Sequence, residues 1–145
     1  MKSIFSTSAT WWQLPLRLVL FLTFWMHGSQ KVLGLYEGPG LSGFVGWLGS
    51  MGVPAPVAYL PAFAEFLGCW LLAFGFLTRF AALALAADMA VAIVMVHLKN
   101  GFFSEKGGYE FVLALGCMAF ALLLGGGGNL SVDRMISSKG SRSSA

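Results

Sequence analysis

The chain has 145 residues, of which 57% are hydrophobic and only 10% charged, and its mean hydropathy is +0.77. Soluble domains are about 25% charged, so this composition excludes an ordinary soluble module. The formal net charge of +3 is small, and in an apolar chain lysine and arginine report membrane topology more than a nucleic-acid partner. The sequence therefore indicates an integral membrane protein of one domain.

Four apolar segments have the length of a membrane helix, which needs about 20 residues. They are Trp11 to Leu35, Pro56 to Leu77, Arg79 to Leu98 and Tyr109 to Leu124. Inside lipid a segment must satisfy its own backbone polar groups, and the alternation typical of a barrel is absent. The predicted fold class is therefore all-α, a four-transmembrane-helix bundle.

The segment between the first two spans is rich in glycine and proline, yet it carries apolar residues at helical spacing. Leu41, Val45 and Leu48 fall near one face. This pattern predicts a short interfacial helix between helices 1 and 2 rather than a solvated loop.

The chain leaves the fourth span through four glycines, and Ser131 is a candidate N-cap for a short turn with Asp133 near its start. The residues beyond are polar and small, a composition typical of disorder. We therefore predict a single membrane domain over residues 1–133 and a flexible cytoplasmic tail over residues 134–145.

Ionisable side chains occur within the predicted spans, where a charge costs about 2.5–3.5 kcal/mol on insertion scales. They include His27 and Lys31 on the first span, Glu65 on the second, Asp88 on the third and Glu110 at the start of the fourth. With a rise of about 1.5 Å per residue, His27, Glu65 and Asp88 share a layer near mid-membrane, and Lys31 lies just above it. Polar residues inside lipid are usually functional, so this layer is the candidate site.

Glu65 is too deep to reach water easily, so it must pair, accept hydrogen bonds or stay protonated. His27 is the expected partner at the same depth. Lys31 is expected within hydrogen-bond or ion-pair reach of Glu65 or Glu110. The alternative reading is that these charges only pair to lock the helices in register.

The two cysteines, Cys69 and Cys117, form no C-x-x-C motif and have no metal-ligand spacing. Both are expected to be small core residues. The sequence predicts no metal site.

The chain resembles the DoxX family of small four-helix membrane proteins from about Arg17 to Asp133. The residues that carry the resemblance are Gly28 with Lys31, Glu65 with Gly68, the GGYE of residues 107–110, and Gly126, Gly128, Ser131 and Asp133 in a G-x-G-x-x-S-x-D ending. One departure is Cys69, where the family often has a second glycine. The resemblance implies that Lys31, Glu65, Tyr109 and Glu110 are the family's polar positions. It also implies a redox link, because relatives include the membrane subunit of an archaeal thiosulfate:quinone oxidoreductase.

Two functions from different classes are compatible with these residues. In the first, the chain is a redox-linked membrane component whose polar pocket, in the outer half of the bundle, binds a quinone headgroup. Glu65 and His27 are then the catalytic candidates, and the ligand-binding candidates are Lys31, Tyr109, Glu110 and Asp88. In the second, the chain is a non-catalytic integral subunit or scaffold whose buried charges are structural.

No resident cofactor follows from the sequence with certainty, and a quinone is the ligand that the first function requires. The expected partners are the lipid bilayer, a quinone, and a redox protein or further copies of the chain, with no nucleic acid. Whether the chain is itself an enzyme stays open at this point. If it is one, it is a subunit of a quinone-linked oxidoreductase.

The distribution of cations predicts the orientation. With four spans both termini lie on one side, which carries six lysines and arginines against three on the other. The positive-inside rule then places both termini in the cytoplasm of a bacterium, with the chain in the inner membrane.

This orientation is testable with reporter fusions at Ala145. A reporter that works only in the cytoplasm should be active there, because the cation-rich side stays inside. Activity of a periplasm-only reporter at the same position would overturn the orientation.

Overall fold

The structure, a computed structural model, describes residues 5–142 and, among their side chains, those of residues 5–138. Its helices are α1 (Gln13–Leu33), α2 (Gly40–Ser50), α3 (Ala55–Phe74), α4 (Thr78–Ala92), α5 (Glu110–Gly125) and α6 (Val132–Arg142). Helix α4 continues through a π-helical turn, Ile93–His97, and a 3-10 turn, Leu98–Asn100, and a further 3-10 turn spans Ser104–Lys106. The described residues contain no strand, which confirms the all-α class.

Two helical stretches within residues 5–142 are long and apolar enough to cross a membrane, Ala55–Phe74 and Thr78–Asn100. Helix α5 is apolar but has only 16 residues. Helix α1 has 21 residues, but arginine, histidine, lysine and glutamine side chains lower its hydropathy. Spanning by α1 and α5, and with it the full four-span bundle, stays a prediction.

The long helices pack as a bundle in which α3 contacts both α1 and α4, and α4 contacts α5. Its centre is filled by large apolar side chains that are fully buried, including Leu20, Phe24, Leu72 and Leu85. Large apolar side chains also cover the outer faces of the helices. This exposure fits a bundle surrounded by lipid rather than water.

Helix α2 confirms the short helix predicted between the first two spans. Its Phe44 and Leu48 are buried, and they form a second apolar cluster with Ala58 and Ala62 of α3. Because α2 folds back on α3 and α1, it covers one end of the bundle, and it brings Phe44 next to the polar residues described below.

At the opposite end, Arg17 joins three parts of the chain. Its side chain is only 2% exposed. It donates hydrogen bonds to the carbonyl oxygens of Leu72 (2.7 Å) and Ala73 (2.8 Å) at the end of α3, and of Gly127 (2.9 Å) and Leu130 in the glycine segment. We call the contacts of Arg17 and Asp133 with these segments the terminal junction.

Asp133 completes the terminal junction. Its carboxylate accepts hydrogen bonds from the backbone N–H groups of Leu77 (2.8 Å) and Thr78 (2.9 Å), which are otherwise unpaired at the start of α4. Gly127 is packed so tightly that an added Cβ would lie 2.6 Å from that of Ser131. The G-x-G-x-x-S-x-D ending is therefore a structural device that holds the end of the bundle together.

Ser131 caps α6 as predicted, since its Oγ accepts a hydrogen bond from the N–H of Arg134 at 3.2 Å. The helix itself is longer than the short turn expected there. The tail predicted to be flexible over residues 134–145 is helical up to Arg142, and residues 143–145 lie outside the described residues. A strong N-cap next to an anchored Asp133 explains why the helix extends into a polar, serine-rich segment.

Replacing Asp133 by alanine should lower the thermal unfolding midpoint in detergent by several degrees. The change leaves two N–H groups at the start of α4 without an acceptor, which costs about 1–3 kcal/mol. The matched control is Ser137→Ala on the exposed side of α6, which should leave the midpoint unchanged. Equal midpoints for both variants would show that the junction does not stabilise the bundle.

Candidate functional site

A buried ion pair joins α1 and α3. The ammonium of Lys31 lies 2.6 Å from Glu65 Oε1, and the two side chains are 23% and 3% exposed. The same ammonium lies 5.0 Å from the centroid of the Phe44 ring of α2, a distance suited to a cation–π contact. The sequence predicted that Lys31 reaches Glu65 or Glu110, and the structure confirms the contact with Glu65.

Gly28 explains how α1 and α3 come close enough for this pair. A Cβ added at Gly28 would lie 2.7 Å from the backbone N of Phe66 and 2.8 Å from its Cα. Only a glycine allows this approach, which occurs one turn from Lys31 on α1 and next to Glu65 on α3. The combination of Gly28, Lys31 and Glu65 is therefore a single structural unit.

Asp88 of α4 extends the pair into a cluster of three charged side chains. It lies within electrostatic range of both Glu65 and Lys31. Three buried side-chain polar atoms among the described residues lack a hydrogen-bond partner, and two of them are Glu65 Oε2 and Asp88 Oδ2. Buried polar groups are normally hydrogen-bonded, and the side chains of Asp88 and Glu65 lie within hydrogen-bond reach of each other, so one proton shared between the two carboxyl groups can satisfy both oxygens. The third atom, Thr78 Oγ1, is a neutral hydroxyl at the terminal junction.

A groove on the outer side of α3 and α4 leads to this cluster. Its volume is about 580 Å³, within the range of small-molecule sites. Its lining includes Leu60, Pro61, Ala64, Ala84, Ala87 and Asp88. Asp88 is the one charged side chain among the described residues that line it, and Leu60 at its rim is 66% exposed. The α3–α4 groove thus connects the lipid-facing surface to the carboxylates.

The structure does not bring His27 to this cluster, which corrects the sequence prediction. Its side chain is exposed and makes no hydrogen bond or ion pair with the described residues. The packed face of α1 runs through Phe24, Gly28 and Lys31. His27 lies about 100° from Gly28 around the helix, so it lies on the exposed side of α1 although its height along the helix is suitable.

Tyr109 and Glu110 also lie away from the cluster. Glu110 is exposed and accepts hydrogen bonds from the backbone N–H (3.1 Å) and the hydroxyl (3.2 Å) of Ser104. The Tyr109 ring packs edge-on against Phe102, with centroids 5.6 Å apart. Nearby, His97 Nδ1 lies 2.7 Å from the carbonyl oxygen of Gly107.

The GGYE segment therefore closes the loop between α4 and α5. A Cβ at Gly108 would lie 2.3 Å from the carbonyl oxygen of Gly101, and the N–H groups of Tyr109 and Glu110 donate to Gly101 and Phe102. The motif holds a compact loop, and its contacts to a ligand stay a prediction without geometric support.

The cysteines are both free thiols. Cys69 is fully buried beside Glu65, one helical turn away, as expected for a core residue. Cys117 is exposed, so the expectation that it is a core residue is wrong. It lines a shallow groove between α4 and α5 together with Ala86 and Ala90. The described residues hold no group of three or more histidine, cysteine or acidic side chains that could bind a metal ion.

Two contributions to the site were missed from the sequence. Phe44 was predicted only as part of an interfacial helix, although it reaches the Lys31 ammonium. The α3–α4 groove was not anticipated either. Its sequence signal is the run of alanines around Asp88, since Ala84 and Ala87 leave open space on the same side of α4 as the carboxylate.

Comparisons with known proteins identify the family of the chain. A model of the DoxX family matches residues 12–98, a range that contains the Lys31–Glu65 pair, Asp88 and the α3–α4 groove. A Bacillus subtilis protein named "Putative oxidoreductase CatD" is 32% identical over 123 residues, which are 85% of this chain and 85% of that protein. An uncharacterized protein of Haemophilus influenzae is 34% identical over 85 residues, 58% of this chain and 56% of its own length. No solved structure matches significantly. The chain belongs to the DoxX family of membrane proteins.

Proposed function

We propose that this chain is a redox-linked membrane component that binds a quinone headgroup at Lys31, Glu65 and Asp88. The observation that carries the proposal is the buried cluster of Lys31, Glu65 and Asp88, of which Asp88 also lines the apolar α3–α4 groove. The name of the Bacillus subtilis relative, which contains the word oxidoreductase, is consistent with a redox role.

The chemistry of the three side chains fits a quinone. Conversion of a quinone to a hydroquinone takes up two electrons and two protons. A carboxylate can pass protons to the headgroup oxygens when it lies within hydrogen-bond reach of them. The Lys31 ammonium has donors beyond the one used on Glu65 and can hold a developing negative charge on a headgroup oxygen. The electrons come from a partner redox protein.

The groove suits the other half of such a ligand. Quinones of membranes carry an apolar tail, and the described lining of the α3–α4 groove is apolar apart from the Asp88 carboxylate and the Tyr59 hydroxyl. Because the groove is open on its lipid-facing side, the ligand can move in sideways from the bilayer without crossing water.

A second candidate function is that of a non-catalytic subunit, in which the charges hold the bundle. The observation in its favour is that the Lys31–Glu65 pair connects α1 and α3, which pack closely through Gly28. In this function Asp88 is a buried acid without a ligand, and the chain binds no quinone headgroup.

Glu65→Gln separates the two functions. Glutamine keeps the shape and an acceptor for Lys31 but removes the charge and the proton-carrying carboxylate. If the proposal is correct, the variant stays folded and its binding of the reduced form of a soluble short-tailed quinone, whose hydroxyls can donate to a carboxylate, falls by about tenfold or more in detergent, the effect of losing one hydrogen bond to a charged group.

The matched control is Glu110→Gln, the same chemical change at an acid that begins α5 and accepts hydrogen bonds from Ser104 in the preceding loop. It should bind the quinone like the unaltered chain. Loss of thermal stability in Glu65→Gln with unchanged quinone binding would instead establish the structural role. Absence of any quinone in lipid extracts of the purified protein, together with no binding of the added quinone, would refute the proposal.

A further inference from the structure

We infer that α6 is a membrane-surface helix, which an apolar and cationic face holds against the phosphate headgroups of anionic phospholipids in the bilayer around the bundle. The inference concerns the end of the bundle at the terminal junction, so it is independent of the proposed quinone site. It is drawn from the exposure of α6, from its position beside the ends of two candidate spans, and from its charge.

The first turn of α6 is fixed to the bundle, and the turn that follows is exposed. Asp133 is buried, and its backbone N–H donates to the carbonyl oxygen of Gly75 at 3.0 Å. Met135 and Ile136, by contrast, are 62% and 39% exposed. In the described part of the chain, residues 134–138 make no hydrogen bond to another helix. Two large apolar side chains are thus uncovered on a helix that the fold anchors at one end.

The anchor places α6 at the level of the membrane surface. Gly75 follows α3, and the N–H groups of Leu77 and Thr78, which donate to Asp133, lie at the start of α4. Helices α3 and α4 belong to the two described stretches that are long and apolar enough to cross a membrane. The turn between them therefore lies at one edge of the bilayer, and α6 begins beside the lipid headgroups.

Tryptophan side chains lie at the same end of the bundle. Trp11 and Trp12, just before α1, are exposed. A Cβ added at Gly125, at the end of α5, would lie 2.5 Å from the ring of Trp12. Because tryptophan is enriched where a membrane protein crosses the boundary between lipid and water, these rings support an interfacial position for this end of the bundle.

The charge of α6 suits an anionic surface. Lys139 and Arg142 follow Met135 by four and seven residues, so the three positions share one face of the helix. The acid of α6, Asp133, is buried and accepts hydrogen bonds from the backbone, so it does not face the same surface as the cations. Lysine and arginine close to an anionic bilayer are attracted to it, and helices that combine such cations with apolar side chains lie in the interface.

The apolar side chains favour lipid over an acidic soluble protein as the partner. An acidic protein would offer charge complementarity, but Met135 and Ile136 also need a surface that removes them from water. The bilayer supplies both at the level where α6 begins, acyl chains for the apolar side chains and phosphates for the cations. The partner that the observations favour is therefore the anionic lipid surface.

The test places a polarity-sensitive fluorophore on α6 of the full-length protein. Cys69 is buried and Cys117 is exposed, so a Cys117→Ser background leaves an introduced cysteine as the accessible thiol. Met135→Cys labels the proposed lipid-facing side. The matched control, Ser137→Cys, carries the label about 160° away around the helix. The labelled proteins are placed in nanodiscs of phosphatidylcholine alone, or of equal parts phosphatidylcholine and phosphatidylglycerol.

With phosphatidylglycerol present, we expect lipids that carry a spin label near the headgroup to quench the label at position 135. Acrylamide in the water should quench the label at position 137. In phosphatidylcholine alone, acrylamide should reach both labels. Equal access of acrylamide to both labels in both bilayers would overturn the inference and leave this face to a soluble partner. Equal protection of position 135 in both bilayers would refute the preference for anionic lipid.

Neutral substitutions measure the electrostatic contribution. Lys139→Gln combined with Arg142→Gln should lower the ratio of docked to free α6, read from the two fluorescence lifetimes of the label, by about thirtyfold, or about fivefold for each cation. The matched control, Lys99→Gln combined with Lys106→Gln, removes two cations between α4 and α5 and should leave the ratio unchanged. A ratio that does not respond to the loss of Lys139 and Arg142 would overturn the inference.

Discussion

The ion pair between Lys31 and Glu65 is the constraint on which the arrangement of the bundle depends. A carboxylate with 3% exposure inside an apolar helix bundle is tolerated only when another group neutralises it or donates to it. That requirement fixes several other features. Gly28 must lack a side chain so that α1 can approach α3, and α2 must fold back so that Phe44 covers the ammonium. The same pair lies next to Asp88, which lines the groove between α3 and α4.

Much of the fold follows from local patterns in the sequence. The long apolar segments, the glycines after them and the apolar face of α2 predict helices within two or three residues of their observed ends when the π-helical and 3-10 turns that continue α4 to Asn100 are counted with it. The pairing of Lys31 with Glu65 was also predictable, because an isolated carboxylate at that depth is costly and Lys31 is a cation one helical turn from the estimated layer. The N-cap role of Ser131 was predictable from its position before a helical segment.

The remaining parts of the site depend on rotation around the helix axis, which depth estimates do not give. His27 has a suitable height but lies on the flank of α1, and which flank faces α3 is set by how the two helices pack. Glu110 is close in height to the outer rim. Its carboxylate, however, accepts a hydrogen bond from the N–H of Ser104 in the loop before α5. The groove arises from the relative position of α3 and α4, and an alanine run alone does not distinguish tight packing from open space.

The buried charged groups at the two ends of the bundle differ in their hydrogen-bond partners. At the terminal junction, Arg17 donates to four carbonyl oxygens and the Asp133 carboxylate accepts two backbone N–H groups. Both charged groups are hydrogen-bonded to the backbone there, as expected of groups with a structural role. At the Lys31 cluster, by contrast, the carboxyl groups of Glu65 and Asp88 lie within hydrogen-bond reach of each other, and the Lys31 ammonium pairs with Glu65. Two carboxyl groups can form such a contact only when a proton is shared between them. The charge of the terminal junction is therefore fixed by the fold, whereas the charge of the Lys31 cluster depends on how many protons its carboxyl groups hold, the property that a proton-transferring site requires.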